Sequence, residues 1–369
     1  MSDQRSDNAN PALDSAKQSL TASVVYLQLV YSLFPGALTN RDVREAIVGT
    51  LEWLDSDPSE DECWRKLPTL HARFWELLQD ALRRLPPRRD WREIACEFSQ
   101  LCHGHAVSWA DGLPFGWLAE RFDCRPISLP DDMPFHARIG IGHHAGRQAV
   151  EEDSFLRDAF YFLVRANRLM DRMQVLQDRN RNRSQEESAA EFLQMRVLGE
   201  NTATQARTAV LTFHHFVECF VNSVGEDYVL RHPQTASDQA EILQGRRGGR
   251  FLSTERKMEM IPQVIRGDGT RPLILTDPAQ ISEPFATFVT QVKALRDATS
   301  HYSPQKERIW LSPQDWLERA EVACQVCLDV ARRFWDACYP NRALPSYLLG
   351  LSEDRYLSDA IERLEAESA

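Results

Sequence analysis

Arg296 and His301 are the residues of this chain whose types and spacing point most directly to chemistry. Four residues separate them, within a stretch that reads A-L-R-D-A-T-S-H-Y-S-P from Ala294 to Pro304. Arginine presents a planar, permanently charged fork that matches two oxygens of a phosphate group. Histidine, with an unperturbed pKa of about 6.5, can accept or donate a proton near neutral pH. The pair therefore offers a phosphate-binding cation and a proton-transfer group.

A helix that leads into this motif must position it. Ser282 is a suitable N-cap and Pro284 fits the first turn, after which apolar residues recur every three or four positions. On an ideal helix, positions five apart diverge by about 140°, so Arg296 and His301 do not share a face. Pro304 disfavours helix just before it, which loosens the last turn and lets the histidine approach the arginine. The apolar positions are Phe285, Phe288, Val289, Val292 and Leu295.

A longer helix is predicted upstream, with polar residues beside its apolar stripe. His214, Glu218 and Asn222 follow one another at intervals of one helical turn. Without further context, they would form a half-buried salt bridge, a structural amide and a boundary histidine. The stripe itself comprises Ala206, Ala209, Val210, Phe213, Val217, Phe220, Val221 and Val224.

Together these elements resemble the HEPN superfamily, whose signature is an arginine, usually a polar residue next, and a histidine four to six positions later. Prokaryotic members often carry a glutamate and an asparagine in their first long helix, as Glu218 and Asn222 do here. The segment 255–262 resembles the short second helix of the family. Glu283-Pro284-Phe285 resembles its usual entry into the motif helix. A fourth helix would cover Trp316 to Cys338, and the resemblance extends over roughly residues 200 to 345.

The resemblance implies metal-independent cleavage of RNA, in which the ribose 2′-hydroxyl attacks the adjacent phosphorus. Arg296 would stabilise charge on the phosphoryl oxygens, and His301 would serve as acid or base. Glu218 would support the cleft and orient Arg296, while Asn222 would have a structural role. The family's motif meets its copy across a twofold dimer interface, so a homodimer is implied. No metal or cofactor is expected.

Asp297 departs from the asparagine that many family members carry after the arginine. Its carboxylate could pair with Arg296 and weaken the attraction for phosphate. Alternatively, it could face His301 and favour the protonated imidazole. We include Asp297 among the candidate catalytic residues.

The densest basic stretch lies before the predicted second helix. It reads G-R-R-G-G-R from Gly245 to Arg250, and Arg256 and Lys257 follow shortly after. Arginine forks and exposed glycine amides could contact RNA phosphates, although a solvated loop is the ordinary interpretation of such a stretch. The candidate RNA-binding residues are Arg246, Arg247, Arg250 and Lys257.

The composition of the chain limits which kinds of binding partner are expected. Its 369 residues include 54 acidic and 43 basic side chains, for a formal net charge of −11. A broad electrostatic grip on nucleic acid is therefore not expected, and any contact with RNA must be local. The apolar run from Val24 to Phe34 is too short to span a bilayer. Eight scattered cysteines suit free thiols in a reducing cytoplasm.

The predicted fold is all-α, with a C-terminal HEPN-like bundle, a helical N-terminal region and a minor β-hairpin. We expect a disordered tail (1–20), a helical N-terminal region of unknown role (21–150), a helical connector (151–199), the HEPN-like domain (200–345) and a C-terminal tail (346–369). A single bent helix running through residue 200 is the alternative to a boundary there. Length favours two domains.

Within the N-terminal region, helices are predicted near 21–34, 40–54, 60–85 and 88–103, followed by another at 154–176. Four tryptophans are expected to knit the core, and 127–129 is expected to pair with 138–141 in a hairpin. The tryptophans are Trp53, Trp64, Trp75 and Trp91.

Other motifs point less clearly to function. The glycine-rich segment 140–146 resembles a nucleotide loop, but no apolar strand precedes it and no βαβ unit surrounds it. Histidines of that segment with His136, or Cys102 to His105 with Cys96 and Cys124, could be drawn as zinc sites, but neither has paired ligand spacing. The sequence thus favours a dimeric RNA endonuclease acting in toxin–antitoxin or phage defence, with an antitoxin or sensor as a candidate partner. The alternative is a non-catalytic dimer that serves as an RNA- or protein-binding scaffold.

Overall fold

The computed structural model describes residues 11–34, 41–102, 112–140, 147–180, 189–300 and 311–367. The chain divides into two compact units, Met1–Ala149 and Val150–Ala369. Helices dominate both units, and the described sheets are small and antiparallel. The prediction of an all-α fold with minor β-structure is confirmed.

Helices occupy the four predicted positions of the N-terminal unit, although the first begins at Pro11, and a fifth, short helix was not predicted. They are α1 (Pro11–Ser32), α2 (Arg41–Asp55), α3 (Glu60–Arg84), α4 (Trp91–Cys102) and α5 (Phe115–Arg121). A three-stranded sheet in the order β1-β2-β3 joins β1 (Leu113–Pro114), β2 (Arg138–Gly140) and β3 (Arg147–Ala149). The predicted hairpin was wrong in its partner, because β2 pairs with β1 and β3. Ile127 and Leu129 instead form short turns.

Helix α1 lies at the centre of this unit and packs against α2, α3 and α4. Nearly every side chain from Ser23 to Ser32 is buried, as expected of a helix that is apolar on all sides. Leu13 and Leu20 are also buried, so the prediction of disorder through residue 20 was wrong for 11–20. Residues 1–10 lie outside the described residues.

The tryptophan prediction holds for two of the four positions. Trp53 and Trp91 pack against the core, whereas Trp64 and Trp75 on α3 are 49% and 58% exposed. The face of α3 that turns inward carries Cys63, Leu67, Phe74, Leu78 and Ala81. Each exposed tryptophan follows a buried residue directly, and one step along a helix rotates a side chain about 100° away.

The C-terminal unit is a helical bundle. Its long helices are α6 (Glu151–Asn180), α7 (Ala189–Arg231) and α12 (Pro313–Cys338). Between them the chain forms α8 (Ser237–Leu243), β4 (Arg246–Arg247), β5 (Arg250–Phe251) and α9 (Thr254–Arg266). Next come α10 (Phe285–Thr287), a π-helix (Phe288–Lys293) and α11 (Ala294–Ser300). A 3₁₀-helix (Ser346–Leu351) and α13 (Glu353–Ala366) complete the unit.

Helix α7 is the axis of the bundle, with α6 and α12 packed along it. Phe160 of α6 meets Phe213 of α7 edge to face at 5.3 Å between ring centroids. Because α7 continues unbroken through residue 200, the predicted boundary there was wrong, and the single-helix alternative is correct. The predicted connector 151–199 belongs to the second unit, since α6 buries its apolar face on α7.

The C-terminal segment 346–369 is not a loose tail in its described part. Tyr356 of α13 is fully buried, stacks on Phe160 and donates a hydrogen bond to Asp153 Oδ1 at 2.8 Å. An ion pair of 2.8 Å also joins Arg363 to Asp158. Helix α13 is therefore part of the bundle, a correction to the predicted tail.

None of the helices in the described ranges combines the length and apolar character needed to cross a membrane. The cysteines whose side chains are described, among them Cys324 and Cys327 on α12, are free thiols.

Candidate functional site: a charged cluster on three helical segments

Three segments of the C-terminal unit bring charged side chains together. Helix α7 contributes Glu218, and the first turn of α9 contributes Glu255. The π-helix contributes Lys293, and α11, which continues it, contributes Arg296 and Asp297. We refer to these residues as the charged cluster.

The helix that carries Arg296 is not a uniform α-helix. Its stretch Phe288–Lys293 has π-helical hydrogen bonding, which inserts an extra residue into a turn. Phe288, Val292 and Leu295 nevertheless remain buried, as predicted. The π-helix ends three residues before Arg296, so the extra residue shifts the angular position of Arg296 relative to an uninterrupted α-helix.

Arg296 meets Glu218 across a sequence separation of 78 residues. Nη2 of Arg296 lies 3.3 Å from Oε2 of Glu218, and the hydroxyl of Thr254 donates to Oε1 of the same carboxylate at 3.4 Å. The two residues that the resemblance pairs in one cleft are therefore in contact. The carboxylate of Glu218 fixes one side of the guanidinium.

Asp297 contacts Arg296 as well. Its Oδ1 accepts a hydrogen bond from Arg296 Nη1 at 2.9 Å, and its Oδ2 accepts one from Lys293 Nζ at 3.0 Å. Burial alone would raise the pKa of Asp297, but the hydrogen bonds from Lys293 and Arg296 hold it below its ordinary value. Asp297 is thus an anion that occupies one side of the Arg296 guanidinium.

Lys293 extends the cluster by a second ion pair, 3.3 Å from its Nζ to Glu255 Oε1. Burial alone would lower the pKa of Lys293, yet Asp297 and Glu255 together raise it. The side chains of Arg296, Asp297 and Lys293 are each about a quarter exposed, so solvent reaches them. A phosphate oxygen could bind Arg296 by sharing it with the two carboxylates.

His214 lies beneath the cluster and is fully buried. Its ring stacks on Phe288, with centroids 5.5 Å apart, and Nδ1 lies 3.9 Å from Glu218 Oε2. Among the described residues, neither ring nitrogen finds a hydrogen-bond partner. Burial, helped by the charge of Arg296, lowers the pKa of His214 to about 4, so the imidazole is neutral at physiological pH.

The other predicted site residues fall in three places. His301 lies outside the described residues. Arg246, Arg247 and Arg250 are exposed on the hairpin formed by β4 and β5. Lys257 differs from the prediction: its side chain turns inward, remains only 8% exposed and donates to Asn222 Oδ1 at 2.9 Å.

Burial lowers the pKa of Lys257. Its aliphatic stem lies against Gly245, where an added Cβ would approach Cε to 2.8 Å. The hairpin base therefore covers this lysine, which ties α9 to α7 rather than extending the basic surface.

Sequence reasoning missed Lys293, Glu255 and Thr254. Lys293 stands one helical turn before Asp297, a spacing that could have identified the ion pair. Nothing local marks Glu255 or Thr254, because their contacts depend on how α9 crosses the other helices.

In the parts of the chain that the structure describes, no group of three or more histidine, cysteine or acidic side chains is placed to hold a metal ion. The considered zinc ligands at 103–105 and 143–144 lie outside those parts, so the expectation of no metal stays a prediction.

No family model, no curated protein and no solved structure matches this chain. Its function is therefore inferred from the residues and their geometry.

Proposed function

We propose that the chain is a metal-independent RNA endonuclease of the HEPN type, acting in the cytoplasm. The observation that carries this proposal is the contact between Arg296 and Glu218. It joins α11, which carries the arginine of the motif, to α7 at a partly exposed site. A role in toxin–antitoxin or phage defence, with an antitoxin or sensor as partner, follows from the resemblance alone.

In the proposed reaction, the ribose 2′-oxygen forms a bond to the adjacent phosphorus and the bond to the 5′-oxygen breaks. The 2′-hydroxyl loses a proton to a base and the leaving 5′-oxygen gains one from an acid. The products are a 2′,3′-cyclic phosphate and a 5′-hydroxyl. His301 is the acid–base residue, and Arg296 stabilises the charge on the non-bridging oxygens.

Glu218 positions the guanidinium, and Asp297 sets how strongly the guanidinium attracts phosphate. Neutral, buried His214 lines the floor below Glu218, and its lowered pKa means that it does not carry the acidic proton of an imidazolium near neutral pH. In the proposed homodimer, two copies of the motif face each other, so one His301 acts as base and the other as acid.

Cleavage of single-stranded RNA in excess chelator tests the proposal. We expect a cyclic phosphate product, with Arg296→Ala and His301→Ala each reducing the rate by roughly a hundredfold to ten-thousandfold. Arg231→Ala is a matched control, since this arginine pairs with Asp227 one turn before it, away from the cluster. Activity abolished by chelator, or retained in both site variants, would disprove the mechanism.

One observation favours the alternative, a non-catalytic scaffold. Arg296 is already engaged by two carboxylates, Glu218 and Asp297, as a residue that only stabilises the bundle would be. A scaffold predicts RNA or protein binding without cleavage, together with lower folding stability of Arg296→Ala. Sedimentation of the wild type also tests the proposed homodimer. A monomer with full cleavage activity would contradict a site formed by two copies of the motif.

A further inference from the structure

The hairpin of β4 and β5 carries a surface that the proposed reaction does not use. Gly248 and Gly249 form its turn with φ angles of 57° and 75°, the left-handed values that a two-residue hairpin turn requires. The pairing sets Arg246 opposite Phe251 and Arg247 opposite Arg250. Directly opposed residues in an antiparallel pair share a face, so the hairpin has one mixed face and one purely cationic face.

Phe251 on the mixed face is 77% exposed, which is unusual for a phenylalanine. The guanidinium of Arg246 lies over the ring, 4.9 Å from its centroid, and most of the Phe251 side chain is open to solvent. An exposed aromatic ring beside a guanidinium is the arrangement on which unpaired nucleobases stack in single-strand binding proteins.

The cationic face brings two like charges together. Cβ atoms of directly opposed residues lie about 5 Å apart, and like charges at that spacing repel. Within the described residues, neither Arg247 nor Arg250 forms an ion pair. An anion that bridges both guanidinium groups would relieve the repulsion, and a backbone phosphate suits this position.

Glu241 holds the hairpin in shape. Its carboxylate accepts hydrogen bonds from Gly248 N at 2.9 Å and Gly249 N at 2.6 Å, and these bonds lower its pKa. The turn amides are therefore occupied, which corrects the expectation that they bind phosphate. Even with this carboxylate, the arginines leave the hairpin positive on a chain whose net charge is −11.

The hairpin is joined closely to the charged cluster. Leu252 N donates to Gly245 O at 2.9 Å and closes the hairpin base, and Ser253 caps α9 by accepting from Arg256 N. Thr254, which contacts Glu218, lies only three residues after Phe251. The Cα atoms of Thr254 and Phe251 are thus at most about 11 Å apart.

We propose that this hairpin is a binding site for single-stranded RNA, in which Phe251 and Arg246 stack an unpaired base and Arg247 with Arg250 bind a backbone phosphate. The strand passes over the turn, where Gly248 and Gly249 present no side chains and open space surrounds both positions. This inference rests on the proposed function in taking RNA as substrate, and it adds how the strand is held beside the cluster.

Binding of a fluorescent 2′-O-methyl RNA single strand tests the site, because this probe lacks the nucleophilic hydroxyl and stays intact. We expect Phe251→Ala to weaken binding by about tenfold to a hundredfold, Phe251→Trp to preserve it, and Phe251→Leu to weaken it despite its apolar side chain. Phe192→Ala, which removes another exposed phenylalanine of the same unit, should change nothing.

Two further binding measurements distinguish the contribution of charge from that of base stacking. Substituting both Arg247 and Arg250 with Gln should lower the salt dependence of binding by roughly one unit of slope for each phosphate that is no longer neutralised. A duplex of equal length should bind with little dependence on Phe251, because its bases are already stacked. Equal reductions in affinity for duplex and single strand in Phe251→Ala would overturn the stacking site.

Wild-type affinity in Phe251→Ala, or the same weakening in Phe192→Ala, would also overturn it and leave the hairpin as a surface for a protein partner. Cleavage of unmodified RNA is measured in parallel. Cleavage that depends on Arg296 but not on Phe251 rejects the hairpin site alone. Binding that depends on Phe251 without cleavage rejects the proposed reaction alone.

Discussion

Two carboxylates of the C-terminal unit are bound in opposite ways. Glu259 of α9 is buried, and its oxygens accept hydrogen bonds from Leu275 N, Thr276 N and the Thr276 hydroxyl, at 2.6 to 3.0 Å. Glu218 of α7 is partly exposed and faces an arginine at 3.3 Å.

The difference lies in the donors. Backbone amides are fixed, so Glu259 is saturated and anchors the loop after α9. The partners of Glu218 are the end of a long side chain and a threonine hydroxyl at 3.4 Å, both longer and looser contacts. Beside it, His214 is buried and makes no hydrogen bond with the described residues, which carries a desolvation cost. The saturated carboxylate of Glu259 thus anchors a loop, whereas Glu218 makes the longer, partly exposed contacts of the charged cluster.

The largest expected effect concerns the reaction. Arg296→Lys keeps the charge but loses the planar fork, so we expect cleavage to fall by about a hundredfold to a thousandfold while the free energy of unfolding changes little. Paired measurements of cleavage rate and urea unfolding check this. A large fall in stability with a proportionate fall in activity would move Arg296 into the same structural class as Glu259.

Glu259→Ala should show the reverse pattern. Removing the carboxylate leaves two backbone amides of the loop without their acceptor, and we expect the free energy of unfolding to fall by ~3 kcal/mol. Glu255→Ala on the same helix is the matched control, since its carboxylate pairs with the Lys293 side chain rather than with backbone amides, and its removal should cost less. Equal effects in the two variants would contradict the distinction between anchor and site.

His214 gives a pH-dependent prediction. Unfolded histidine titrates at about 6.5, whereas the pKa of buried His214 is about 4. Between these values the unfolded chain binds a proton that the folded chain does not. This contribution to stability is complete above pH 6.5 and is lost progressively as the pH falls toward 4.

From pH 6 to pH 4.5, the wild type should therefore lose about 2 kcal/mol more stability than His214→Leu. Chemical unfolding at each pH measures the difference. Parallel stability curves for the two proteins would show that the imidazole is hydrated or paired in solution.

Much of the helical pattern was predictable, because a buried face imposes its period on the sequence. The stripe from Trp316 onward located α12 to within three residues of its start. The predicted burial of Trp64 and Trp75 was wrong because it rested on the size of the side chains. Burial on α3 depends instead on which face of the helix a residue occupies. Tyr356 was missed although Tyr356, Ala360 and Leu364 recur at intervals of one helical turn, because the surface of α6 that buries them is distant in sequence.

At the site, neighbours along the chain were easier to predict than neighbours in space. The pair of Asp297 with Arg296 follows from adjacency, and the contact of Arg296 with Glu218 was expected only through the resemblance. Lys257 was misplaced because charge pattern alone does not show that Gly245 and the hairpin base cover its stem. Phe251 gave no signal, since an apolar residue after a basic turn is ordinarily expected in a core.

The smallest expected effect is that of Asp297→Asn, which tests the role of this carboxylate in the charged cluster. The change releases Nη1 of Arg296 from an anionic partner, so RNA affinity or cleavage rate should rise by about threefold, in keeping with the strength of a partly exposed ion pair. Glu255→Gln is the matched control: it changes the local charge by the same amount and also weakens an ion pair with Lys293, but it does not touch Arg296.

An equal rise in both variants would attribute the effect to net charge. A slower cleavage with unchanged binding in Asp297→Asn alone would instead assign the carboxylate to His301, as the group that favours its protonated form. A rise confined to Asp297→Asn identifies competition for the guanidinium, and it would place Asp297 with Glu218 as a residue that restrains the arginine rather than as one that anchors the fold.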